Sequence, residues 1–271
     1  MELVILDRRD QPELLDYLDA HPDSTIWMRI AWYDGARFAA VRARGRTVGI
    51  AAHDKIGAVH VHTQEALAEL ARACVAPGAR VSAVAGPPAQ VPDAIAALGL
   101  GGRAVTRISR EIIMWLDLDD LVVPELLGRD GIEVRRATEA DLPLLTDWRI
   151  RYFQEVHRIA PDADALAEVR RDLGLGRLWV LTEGGTIVNT AAFNAVFSRL
   201  VQVEFAYSPP ELRSKQFGRS AVAGALAAVR ADGVRGAVLN TDENNLAVRV
   251  AAQLLGFRLT HEFRVIVFAT E

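Results

Sequence analysis

Apolar and polar positions along the chain switch between a period of two and a period near 3.6, the spacings of strand and helix. The second half shows this most clearly. IEVRRA (132–137) alternates and predicts a strand, and Thr138 with Asp141 three residues on predicts a capping box that opens a helix over TEADLPLLTDWRIRYFQEV. Residues 165–176 predict a second helix stopped by Gly174 and Gly176, and 178–196 predict a hairpin that turns at Glu183-Gly184-Gly185. A strand over 200–208 is cut off by Pro209-Pro210, and an Ala-rich amphipathic helix runs over 219–233. A strand over 236–241, a helix over 245–256 and either one long strand or a strand pair over 258–268 follow. The order is β-α-α-β-β-β-α-β-α-β.

The first half repeats this order loosely. It predicts a helix over 12–21, a hairpin over 37–54 around Arg44-Gly45, a strand over 57–63 and a helix over 64–75. A strand over 80–86, a helix over 88–100 and a closing strand over 109–118 complete it. The stretch 116–138, with Pro124, Gly128, Gly131 and mixed charge, separates the halves. The expected organisation is therefore α/β with mixed sheets, in two tandem domains over 1–125 and 131–271, each a twisted mixed sheet flanked by helices.

Composition narrows the function. At 271 residues, 51% hydrophobic and 24% charged, the chain has the balance of a folded globular protein, not of a disordered or fibrous one. A net charge of -4, from 31 basic and 35 acidic residues, lacks the basic excess of a nucleic-acid binder. One cysteine, Cys74, excludes an intramolecular disulfide and a cysteine zinc site, and its Ala/Leu helix suits a small buried hydrophobe. The opening MELVILDRRDQPELL lacks a signal-peptide pattern, and no run of 18 apolar residues occurs. A cytoplasmic protein with no membrane partner is expected.

The chemistry concentrates in VEFAYSPPELRSKQFGRSAVAGAL, residues 203–226. A strand breaks at two prolines, a short basic loop follows, and a helix starts. Backbone N–H groups at a helix N-terminus form an anion site that the helix dipole reinforces. Gly218 removes a Cβ at the loop, and Lys215 and Arg219 add positive charge, which suits a pyrophosphate; an ordinary polar loop is the plainer alternative. His60 and His62 alternate on one strand and suggest a metal pair, but two histidines without a third ligand equally make a polar face. Trp148, Arg149 and Arg151 fit helix packing and surface charge, while Trp27, Trp32, Trp115 and Trp179 fit core or domain-interface anchors.

Arg213-Ser214-Lys215-Gln216-Phe217-Gly218 after the fourth strand of the second half resembles the Arg/Gln-x-x-Gly-x-Gly/Ala loop of the GNAT superfamily of acetyltransferases. Asn245 through Leu255-Gly256-Phe257 resembles its second signature, an Asn, a helix and Leu-Gly-Phe, and the element order over 132–268 matches. The pairing of halves is similar to bacterial GNAT proteins whose N-terminal GNAT-like domain is degenerate. The resemblance implies acetyl-CoA as co-substrate, no metal, and transfer of acetyl to a primary amine of a small molecule. It implies no nucleic-acid or membrane partner and leaves self-association open. It assigns cofactor contacts to Phe205, Ala206, Tyr207 and Ser208 on the strand, to Arg213, Ser214, Lys215, Gln216, Phe217, Gly218 and Arg219 in the loop, and to Asn245, which also suits a helix cap.

Glu204 stands where a carboxylate often acts as base, with a solvated or ion-paired strand residue as the alternative. Strict alternation turns it away from the side of Val203 and Phe205. Tyr207 either donates a proton or packs beside the pantetheine, and Glu155 and His157 lie where the family's acceptor site forms. Two positions depart from the family: Gln216 replaces the first loop glycine, and Ala252 stands where many members carry a tyrosine acid. These departures support a second reading, an acyl-CoA-binding or sensing pseudoenzyme. The first half lacks the loop, since its strand runs straight into a helix at Gln64, so it is not expected to hold CoA.

Overall fold

The computed structural model describes residues 1–155 and 162–269. It divides into two compact units that are not continuous in sequence. Unit 1 holds Met1–Ile113, Thr241–Asn245 and the chain from Leu259 on; unit 2 holds Met114–Asn240 and Leu246–Arg258. A cut at 125–131 therefore misplaces the last strand, which belongs with the first half of the chain. Pairing explains why: that strand hydrogen-bonds a strand of the first half, Arg264 opposite Gly86 and Val267 opposite Ala83.

In unit 1, β1 (Glu2–Leu6), β2 (Arg37–Ala43), β3 (Arg46–His53), β4 (Ala58–Thr63), β5 (Ala83–Gly86) and the C-terminal strand lie side by side in that order. Both faces are covered, so the strands are apolar at successive positions rather than at alternate ones. Ala39, Val41, Ala51, Val59 and Val61 pack under α3 (Leu67–Cys74) and α4 (Val91–Ala97), and Cys74 sits fully buried among them. Phe38, Ala40, Ile50 and Ala52 face α1 (Gln11–Ala20) and α2 (Ile26–Tyr33) on the other side. β1 and α2 go beyond the expected elements. β6 (Val105–Asp117) straddles the division between the units.

In unit 2, β7 (Ile132–Arg136), β8 (Leu178–Glu183), β9 (Thr186–Val196), β10 (Leu200–Tyr207) and β11 (Gly236–Asp242) are neighbours in that order. α5 (Leu142–Glu155) and α6 (Asp162–Gly174) contribute Leu145 and Val169 to a core with Leu178, Val180 and Ala192. α7 (Phe217–Ala231) packs on β7, β8, β9 and β10. Its Ala/Gly content follows from closeness: a Cβ at Gly224 would lie 2.6 Å from Val134 Cγ2. α8 (Leu246–Gln253) follows β11, and residues 258–268 form one long strand, β12. Among the described residues no helix is long and apolar enough to cross a membrane.

Candidate functional site

The site begins where β10 leaves β11. Their parallel pairing runs from Leu200 opposite Gly236 to Val203 opposite Leu239, while β10 stays paired with β9 as far as Tyr207 opposite Thr190. From Glu204 on, the β11 side of β10 therefore carries backbone N–H and C=O groups outside the ladder, groups that seek partners. A chain of half-buried and buried amides links β9, β10 and β11 just before β10 and β11 part. Asn194 Nδ2 donates to Gln202 Oε1 at 2.9 Å, and Gln202 Nε2 donates to Asn240 Oδ1 at 2.7 Å.

The register of β10 on β9 shifts on either side of Val203, which faces Phe193, while Phe205 faces Ala192. Glu204 is the extra residue of this β-bulge, and a bulge breaks the strict two-residue alternation. Its side chain is consequently not turned away from Phe205. The Arg149 guanidinium meets both, 3.6 Å from Glu204 Oε1 and 4.3 Å from the centroid of the Phe205 ring.

Arg149 is itself buried, and its other contacts are Glu168 at 3.1 Å and Asp172 at 3.3 Å on α6. Glu204 keeps 32% of its side chain exposed, and the partial burial of its carboxyl raises it above the ordinary glutamate value; Arg149 opposes the rise, and Asp172 and Glu168 add to it. Arg149 thus belongs to the site and not to the surface. The signal was available: 145, 148, 149, 152 and 153 form one helical stripe, and Arg149 is the charge inside it. Glu168 and Asp172 share the stripe of α6 with Ala165 and Val169 in the same way.

The end of β10 is aromatic. Tyr152 stacks on Phe205 at 5.2 Å, and Trp148 meets Tyr207 edge-on at 6.1 Å. Tyr207 is buried and its hydroxyl donates to Glu155 Oε1 at 3.0 Å. Burial, with help from that bond, pushes its phenol up to about 12, so it keeps its proton at neutral pH. His157 lies outside the described residues.

Beyond Pro209 the chain makes a single 3₁₀ turn over Pro210–Leu212. Ser214 and Gln216 then adopt left-handed φ values of 64° and 67°. These conformations turn the loop so that α7 starts at Phe217, with Ser220 N–H bonded to the Gln216 carbonyl at 3.0 Å. The first-turn N–H groups of α7, like those of any α-helix, have no carbonyl one turn back within the helix. Ser220 Oγ and Arg219 Nε are buried there without a protein hydrogen-bond partner. Arg219 Nη2 donates to Gln216 Oε1 at 2.5 Å, and Lys215 Nζ lies 5.9 Å from the Phe217 ring centroid.

Several expected contacts lie elsewhere. The Phe217 side chain is core, leaving only its backbone for a ligand. Ser208 Oγ is spent within the sheet, accepting from Asn189 Nδ2 and donating to the Val188 carbonyl. A Cβ at Gly218 would meet Asn189 Nδ2 at 3.6 Å and Ala206 Cβ at 3.7 Å, which is ordinary contact, so the fold itself does not demand glycine there. The Arg213 guanidinium pairs with Glu155 instead of standing open. Asn245 falls in unit 1, where its N–H closes a turn on the Asp242 carbonyl at 3.0 Å. His60 bonds Asp54 and His62 bonds Tyr17 and Ser24, and among the described residues no three potential ligands gather for a metal.

Known proteins resemble this chain in sequence pattern over the second half and in fold along its length. Residues 142–257 match the family model for the acetyltransferase (GNAT) family. Over this segment the chain is similar to the GNAT superfamily. No curated protein matches it. A GNAT-family acetyltransferase from Colwellia psychrerythraea is similar with a TM-score of 0.59 at 12% identity, covering 99% of this chain and 100% of that one. A tandem GNAT protein from the clavulanic acid biosynthesis pathway gives 0.54 at 16% identity, covering 100% and 99%. A Drosophila protein gives 0.66 at 14%, covering 98% of each. At such identities the likeness is one of fold, and it spans both units.

Proposed function

We propose that unit 2 binds acetyl-CoA and transfers its acetyl group to a primary amine of a small molecule. The observation that carries this reading is the parting of β10 from β11 after Val203, directly ahead of the left-handed loop and the start of α7. The residues present fit the donor. The free edge of β10 from Glu204 to Tyr207 suits the amides of a pantetheine arm. The first turn of α7, with Lys215 and Arg219 beside it, suits a diphosphate, and buried Ser220 Oγ and Arg219 Nε have donors in hand.

In the transfer, the amine nitrogen bonds to the acetyl carbon as the carbon–sulfur bond breaks. Backbone N–H groups on the open edge of β10 stabilise the charge that grows on the carbonyl oxygen. Glu204 takes the proton of the amine; its raised carboxyl is a stronger base than an ordinary glutamate. Tyr207, protonated at neutral pH, is the group that returns a proton to the thiolate, and to do so its hydroxyl must swing from Glu155. A second reading, acyl-CoA binding without transfer, is favoured by Ala252, which is buried and offers no proton. Thiol release from acetyl-CoA with a panel of amines, alongside CoA binding by calorimetry, separates them. Binding with turnover supports transfer, binding with no turnover supports the sensor, and no binding at millimolar CoA overturns both.

A further inference from the structure

We propose that Glu155 is a built-in competitor for the acyl-CoA site: its carboxylate holds the Arg213 guanidinium until the diphosphate of the donor takes it. The proposal rests on the reading of residues 204–219 as an acyl-CoA site. Arg213 stands at the first position of the anion loop, yet its Nη2 donates to both Glu155 oxygens, at 2.7 and 2.6 Å. Its Nε donates to the Ser208 carbonyl at 3.0 Å, and its cation lies 5.5 Å from the centroid of the Tyr207 ring. The nitrogen that meets Glu155 cannot give the same hydrogen bonds to a phosphate.

Glu155 is in turn fixed from two sides, since the Tyr207 hydroxyl donates to the same Oε1 that Arg213 contacts. Three polar groups on α5, β10 and the loop thus share one carboxylate. Donor binding through Arg213 has to break the ion pair and leaves Glu155 with Tyr207 alone. Binding at the loop is thereby coupled to the C-terminal end of α5, the helix that also carries Arg149 against Glu204. Arg213 and Glu155 are each about two-fifths exposed, at 44% and 39%, so the pair is a modest barrier and not a permanent lock.

The test is calorimetric titration of the full chain with CoA, comparing wild type, Glu155→Gln, Arg213→Ala and the double variant. Glutamine keeps an acceptor for the Tyr207 hydroxyl and removes only the charge. Glu155→Gln should bind CoA about fivefold more tightly, the scale of an exposed pair. Arg213→Ala should bind more weakly, and adding Glu155→Gln to it should change nothing further. Glu155→Ala, which removes the acceptor as well, should also bind more tightly than wild type, whereas damage to the loop would weaken every variant. If wild type binds CoA and Glu155→Gln binds no more tightly, Glu155 is not a competitor and the proposal falls. If neither protein binds CoA, the acyl-CoA reading itself falls first.

Discussion

Gln216 holds a backbone conformation that costs a glutamine energy and costs a glycine little. At φ 67° the strain is on the order of 1 kcal/mol. The Gln216 amide oxygen is engaged with Arg219, which ties up a cation beside the first turn of α7. Gln216→Gly should therefore tighten CoA binding by up to about tenfold in calorimetry, less whatever the freer loop costs on ordering. A weaker variant would mean that the amide contacts the ligand. Gly218→Ala should leave the melting temperature within the error of a neutral surface change, since the added carbon finds only ordinary contacts. A fall in CoA affinity without a fall in stability would show that the ligand, not the fold, needs the glycine.

At Glu204 activity and stability should part company. A raised carboxyl means that the folded state binds the proton more readily than the unfolded one. Its contribution to stability is present at low pH and is lost as pH rises through the folded value, so at neutral pH the ionised group is a net cost. Glu204→Gln should lower turnover by roughly 10²–10⁴-fold while raising the melting temperature at pH 7, with that gain fading in acid. Unchanged turnover would remove Glu204 from the mechanism. The residue itself was legible in the sequence; its direction was not, because a bulge is set by the register of the neighbouring strand and not by the alternation of its own.

Among the elements, the start of α5 was the most readable. Thr138 and Asp141 form the capping box that their spacing predicts. Asp141 also takes two hydrogen bonds from Arg135 on β7, at 2.7 and 3.0 Å, a link that local spacing cannot reveal. The Arg135 bond, with the Thr138 bonds, holds its carboxyl down at about 2 against burial. A depressed carboxyl stabilises above its unfolded value and loses that contribution as pH falls through the folded one. Asp141→Asn should thus cost about 2 kcal/mol at pH 7, and the difference from wild type should shrink between about pH 4 and pH 2. Chemical denaturation at a series of pH values checks it; a pH-independent difference would assign the loss to the cap alone.

The missed elements lacked punctuation. α2 is rich in aromatic and branched residues, and Thr25 before it makes no side-chain cap bond. β1 is a short strand paired to β2, with Leu3 and Ile5 partly exposed, so it shows no clean alternation.

At the scale of the whole molecule, the tandem likeness of the two halves was legible because each repeats the same order of elements. The allotment of β12 was not, because pairing between positions as distant as Gly86 and Arg264 leaves no local trace. The consequence is physical. β12 gives unit 1 the Phe268 side chain, buried with Leu70, Val84 and Val91, and Ile266 packs against the same core. Arg103 secures the end of the strand, donating to the Val81 and Ala269 carbonyls at 2.6 Å each and lying 5.3 Å from the Phe268 ring centroid.

A chain ending at 258 should therefore leave the edge of β5 unpaired and this core open to water. The expected result is loss of protease resistance within 1–113. Phe268→Ala, which keeps the strand and removes only the ring, should cost about 3–5 kcal/mol in unit 1. Limited proteolysis followed by mass spectrometry reads where the first cuts fall. Cuts confined to residues beyond 113, or a shortened chain as resistant as the full one, would show that unit 1 closes its core without β12.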